Sequence, residues 1–168
     1  GMSRRIGLAQ ALINNPDLAT EDRLTGLTDM ARQARYPIFS AEAAVRAADI
    51  YAQRLVNAPD AERARQNAEQ ARTYYNLALD RHRTEGDLQK LAALAHFGLG
   101  IVAETVNQTD EARRHYDAVR GLVSPGYAVA QDAGERLERL GEAPTTIPFA
   151  STRPTTAPAE ATGTAPAE

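Results

Sequence analysis

Apolar residues over the first 140 positions recur at three- and four-residue intervals rather than alternately, with Ala, Leu, Arg, Glu and Gln dominating. That spacing gives each helical turn one apolar stripe, and the β-branched clusters that favour strands are rare. Breakers divide the pattern into seven predicted helices. The first, within residues 6–13, ends at Asn14-Asn15-Pro16-Asp17. Thr20 caps a second across Glu21 to Ala34, and Tyr36-Pro37 ends it because the residue before proline is pushed out of the α region. Ser40 caps a third running to about Asn57, and Pro59-Asp60 opens a fourth running to about Arg83. Gly86 and Asp87 pair a stop with a cap for a fifth, Leu88 to about Val106. Asn107-Gln108-Thr109-Asp110 turns into a sixth ending near Val123, and Ser124-Pro125 supplies cap and first-turn proline for a seventh ending near Gly141. Short connections imply antiparallel neighbours, so the expected fold class is all-α.

These helices differ in character. Leu88 to Val106 is apolar nearly all round, through Leu91, Leu94, Phe97, Leu99, Ile101 and Val102, which predicts burial on several sides. The stretch after Pro59 carries Glu62, Arg63, Arg65, Glu69 and Arg72 along one side and reads as an outer helix. From Pro144 onward Thr, Ala and Pro take over, and Ile147 and Phe149 are the only large apolar side chains. Such a segment buries too little area to offset its ordering entropy. The expected organisation is a helical domain over residues 1–142 and a disordered Pro/Thr/Ala-rich tail over 143–168.

A repeat underlies the pattern. Leu99-Gly100, Ala103, Ala112, Tyr116 and Val119 set small residues and one aromatic at a fixed spacing across two predicted helices. A period of about 34 residues carries Leu99-Gly100 onto Ala133-Gly134. Towards the N-terminus, Ala71, Tyr75 and Ala78 have the same mutual spacing as Ala112, Tyr116 and Val119, with Ala44, Ala48 and Tyr51 on the partner helix. Over residues 88–141 this spacing resembles the tetratricopeptide-repeat family, in particular tetratricopeptide-like proteins of the bacterial cell envelope, including the ancillary subunit of the secretion translocon. His96 stands where that family usually has a bulkier residue, and the earlier unit has roughly a dozen extra residues between its helices. The resemblance implies a short right-handed α-solenoid of about seven antiparallel helices, helix pairs plus a capping helix.

It further implies a scaffold that holds a protein or an amphipathic peptide on the concave face of its first helices. By register those positions are Val45, Arg46 and Asp49, then Leu94, Phe97, Ile101 and Glu104, then Gln131 and Glu135. The Lys and Asn clamp that some members use for a peptide carboxyl terminus is absent, and Phe97 and Ile101 stand in its place. An apolar strip or amphipathic helix would suit such a surface. The competing reading is a structural homo-oligomerisation unit whose apolar face is filled by another copy, or is simply core.

Charge and composition narrow the partners. With 19 basic and 22 acidic residues and a pI near 5.7, arginines alternate with acids and form no basic stripe, so nucleic acid is not expected. There is no cysteine, hence no disulfide or thiolate metal site. Residues 6–13 are too short for a membrane span. Met2 as native start predicts the cytoplasm; an anchor upstream of Gly1 would place the chain at the envelope.

Candidate chemistry is thin, and no enzyme activity, cofactor or metal is expected. Glu111 and His115 are four apart on one helical face, but a metal needs three or four convergent ligands and no other histidine is near in sequence. Glu111 in a first turn suits the helix dipole instead. His82 and His96 read as a helix-end and a packing residue. Glu135 and Glu138 alternate with Arg136 and Arg139 as a solvated face does. Gly98 and Gly100 lie inside a helix and serve close packing. Glu104 is the exception, a carboxylate on an apolar helix that would be costly unpaired. Either Arg113, Arg114 or an arginine of the Ser40 to Asn57 helix pairs with it, or it faces a ligand.

Overall fold

The computed structural model of the protein describes residues 20–33, 35–84 and 88–141. Among these the regular elements are all helices: α1 (Thr20–Ala31), α2 (Pro37–Val56), α3 (Ala61–Thr84), α4 (Gln89–Thr105), α5 (Thr109–Leu122) and α6 (Ala128–Gly141). The helix expected within residues 6–13 and the tail expected over 143–168 lie outside the described residues, as do the Gly86 stop and Asp87 cap.

Three expectations about helix starts are not met. Proline opens α2 from its first turn, where a missing N–H is no loss, so α2 starts before Ser40. Ser40 is not a cap. It is fully buried, donating its hydroxyl to the Ala31 carbonyl at 2.6 Å and accepting from Arg81 Nε at 3.0 Å, which ties the end of α1 and the side of α3 to α2. The third departure is α6, which begins at Ala128 because Ser124 to Tyr127 closes a turn, Tyr127 N–H bonding the Ser124 carbonyl at 3.0 Å. Asp60 caps α3, its Oδ1 accepting from the Arg63 N–H at 2.7 Å, and the helix opens after Pro59-Asp60 as expected.

The α4–α5 turn rests on Asn107, at φ 61°. Its N–H bonds the Glu104 carbonyl while the Gln108 N–H bonds that of Ala103, satisfying the last orphan carbonyls of α4. Asparagine reaches this left-handed region more readily than other residues with a Cβ.

Each helix packs on the next, most extensively α2 on α3 and α4 on α5; α2 also touches α4, and α4 touches α6. The core forms two clusters, and α4 belongs to both. Ala92, Ala95, Leu99 and Val102 belong to the cluster built with α1, α2 and α3, while Ala93 and Ala103 join Ala112, Tyr116 and Val119 of α5 and Ala133 of α6. That is why α4 is apolar nearly all round.

Burial repeats along the chain. Ser40, Ala43, Ala44, Val45, Ala47 and Ala48 of α2 are buried, and at one constant offset so are Ala95, Gly98, Leu99, Gly100, Val102 and Ala103 of α4. In α3, Ala71, Tyr75 and Ala78 are buried, and Ala112, Tyr116 and Val119 of α5 repeat them with identical spacing. The two helix pairs therefore bury matching positions, and the extra residues of the first pair lie in its longer helices.

Candidate functional site

Two glycines on α4 set the geometry of its surroundings. Gly98 and Gly100 are two residues apart, about 200° around the helix, so they open different sides of it. A Cβ on Gly98 would collide with the Tyr75 ring from α3, and one on Gly100 with the Tyr116 ring from α5. Each tyrosine then donates its hydroxyl to a carboxylate at 2.7 Å: Tyr75 to Asp49 of α2, Tyr116 to Glu104 of α4. Asp49 and Glu104 stand at the same offset from one another as the matching buried positions of α2 and α4. Burial drives both phenol pKa values upward, and the adjacent carboxylates reinforce this.

Glu104 has a second partner. Arg136 Nη1 of α6 donates to the same Oε2 at 2.7 Å. Burial works to raise the Glu104 pKa, yet the hydrogen bonds from Tyr116 and Arg136 prevail and hold it below the ordinary carboxylate value. The carboxylate is thus paired by an arginine, but one from α6, not Arg113, Arg114 or an arginine of α2. Arg136 also lies over the Phe97 ring, 5.7 Å from its centroid, and Phe97 tilts against Tyr116 at 5.7 Å. Phe97, Glu104, Tyr116 and Arg136 form one knot joining α4, α5 and α6.

The remaining concave-face candidates divide by environment. Val45 is core, 4% exposed, so it cannot line an open groove. Its position corresponds to Gly100, where the chain passes its neighbours closely. Arg46 is exposed, and Asp49, though exposed as a residue, is engaged by Tyr75. Leu94 is 43% exposed and Ile101 half-buried on α4. Gln131 and Glu135 are exposed and line a cleft of about 700 Å³ shared with Asp117 and Arg120 of α5.

One pairing was invisible in the sequence. His96 of α4 and His115 of α5 face each other, Nδ1 to Nδ1 at 3.0 Å, although they are far apart along the chain. Helix pairing alone brings them together. Glu111 Oε1 lies 3.9 Å from the far nitrogen of His115, and Arg72 of α3 reaches Glu111 at 3.4 Å. Burial chiefly, then the charges of His115, His82 and Arg83, lowers the His96 pKa to about 4; burial lowers that of His115 as well. Among the described residues no group of three or more His, Cys, Asp or Glu could hold a metal ion.

No family model, no curated protein and no solved structure matches the chain.

Proposed function

We propose that the chain is a non-catalytic protein-interaction module, a tetratricopeptide-like scaffold whose first helices α2, α4 and α6 form a face for a protein or amphipathic peptide. The observation that carries this reading is the doubled burial register, in which α2–α3 and α4–α5 bury matching positions while α4 adjoins both α2 and α6. Along α4, Leu94 is in solvent and Ile101 half in solvent, with Phe97 half-buried between them in sequence. Exposed apolar side chains on a rigid helix face suit the apolar stripe of a docking helix. The seven-helix right-handed solenoid and a place in an envelope or secretion-related assembly belong to this proposal. Among the described residues no helix is long and apolar enough to cross a membrane, so membrane attachment would come from a partner or another segment.

Photo-cross-linking in the native host tests it. A photoreactive residue at Leu94 or Ile101 should give one discrete adduct with another protein, and the same residue at Glu62 on the outer side of α3 none. Adducts only with a second copy of the chain would replace this reading with homo-oligomerisation. Equal labelling from Leu94 and Glu62 would remove it.

A further inference from the structure

Each described helix pair sends a tyrosine from its second helix to a carboxylate of its first: Tyr75 of α3 to Asp49 of α2, and Tyr116 of α5 to Glu104 of α4, both at 2.7 Å. In the second pair the receiving helix is shaped for the ring. Gly100 leaves room for it, and Glu104 stands one turn further on to accept the hydroxyl. α6 carries the same two residues again. At the repeat spacing Gly134 follows Gly100 and Glu138 follows Glu104, as buried Ala133 follows buried Leu99. Residues four apart share one face of a helix, so Gly134 and Glu138 stand together as Gly100 and Glu104 do. Among the described residues, however, no ring is seated there. A Cβ on Gly134 would meet nothing within 4 Å, and Glu138 has no hydrogen-bond or ion-pair partner among the described residues. Both line one open cleft of about 700 Å³ between α5 and α6.

We propose that Gly134 and Glu138 form a tyrosine socket for a helix of another protein, one that presents a tyrosine with a lysine or arginine beside it. The ring follows from the filled copy: a glycine floor admits a flat ring, and a carboxylate at its far end favours a hydroxyl over a plain phenyl group. The charge follows from the wall of the cleft. Asp117 is paired with Arg120 at 4.0 Å, which leaves Glu135 and Glu138 without a cation, whereas Glu104 takes Arg136 beside its tyrosine. The chain does not supply the matching group itself. All six of its tyrosines fall within the described residues. Tyr74, Tyr75 and Tyr116 are buried, Tyr36 and Tyr51 half-buried, and exposed Tyr127 sits in a turn with Lys90 over its ring at 5.2 Å. A second copy docked α6 to α6 would set Glu135 and Glu138 against their own like charges. Neither Leu94 nor Ile101 lines this cleft, so the surface is separate from the one proposed above.

The probe is a peptide of the α5 sequence, residues 109–123, because its tyrosine fits the filled copy. A hydrocarbon staple joining positions 113 and 117, both exposed on α5, holds it helical. Fluorescence anisotropy of the labelled peptide reads its binding to the full-length protein. The stapled helix should bind, and either Tyr116→Phe or Arg120→Glu within the peptide should weaken it several-fold. Glu138→Gln in the protein should weaken the tyrosine peptide to the same degree as Tyr116→Phe and leave the phenylalanine peptide unchanged. Gly134→Leu, whose side chain enters open space and favours helix, should abolish binding while the melting curve by circular dichroism is kept. No binding by the stapled helix overturns the proposal, as does binding that Gly134→Leu leaves intact. Equal affinity of the tyrosine and phenylalanine peptides, or of the Arg120→Glu peptide, also counts against it. Self-association of the full-length protein that Tyr127→Phe abolishes would assign the socket to a second copy and overturn the partner.

Discussion

The Tyr116 ring occupies the space that a Cβ on Gly100 would need, and its hydroxyl continues to Glu104 on the same helix α4. One side chain therefore measures both the closeness of α4 to α5 and the polarity of their edge. Gly100→Ala should cost about 1–3 kcal/mol by overpacking, and Gly98→Ala, against Tyr75, a similar amount, although alanine favours helix by about 1 kcal/mol. Ala112→Leu, fully buried opposite, should behave like Gly100→Ala. Urea unfolding of the three variants checks this; a neutral Gly100→Ala would mean the helices stand further apart than described.

Tyr116→Phe should lose about 1 kcal/mol, since the half-buried Glu104 keeps Arg136 as a partner. A double-mutant cycle on Glu104→Gln and Arg136→Met should return a coupling of about 1 kcal/mol or less, because both side chains keep partial contact with water. Zero coupling would demote the pair to a surface contact.

The histidine pair predicts a dependence on pH. With the folded His96 pKa lowered to about 4 from 6.5, the unfolded chain binds the proton first as pH falls. Stability is then complete above pH 6.5 and declines toward pH 4. The full shift would correspond to about 3 kcal/mol, which water around these part-exposed rings reduces to about 1–2. Glu104 adds a separate loss below its unfolded value of 4.5, and the raised Asp49 acts with the opposite sign, so the comparison with His96→Phe isolates the histidine contribution. As pH falls from 6.5 toward 4, the denaturant midpoint of the wild type should drop relative to that of His96→Phe; parallel curves would refute the pairing.

Asn107 can be replaced by glycine at little cost, whereas Asn107→Val should lose about 1–2 kcal/mol by forcing a β-branched residue into the left-handed region. Thermal melts of the two variants distinguish this from a purely side-chain role. Equal losses would point to the asparagine amide rather than the backbone.

Residue spacing along the chain was enough to determine the six described helices to within a few residues, the apolar character of Leu88 to Val106 and the small-residue contacts around Gly100 and Ala112. These follow from local periodicity and side-chain volume, which a linear chain carries in full. What tertiary structure decided is who meets whom. Ser40 looks locally like a cap, but Pro37 starts the helix earlier and turns the hydroxyl inward to Ala31 and Arg81. Val45 has the spacing of a groove position, yet close packing around it makes it core. Glu104 needed a cation, and the nearby arginines in sequence were the wrong ones, because side-chain direction on α5 leaves Arg136 of α6 as the donor. His96 and His115 have no shared local pattern at all; only the pairing of α4 with α5 sets their nitrogens 3.0 Å apart. Contacts between helices depend on axial rotation and crossing, and those are fixed by the whole core acting together, not by the residues that end up touching.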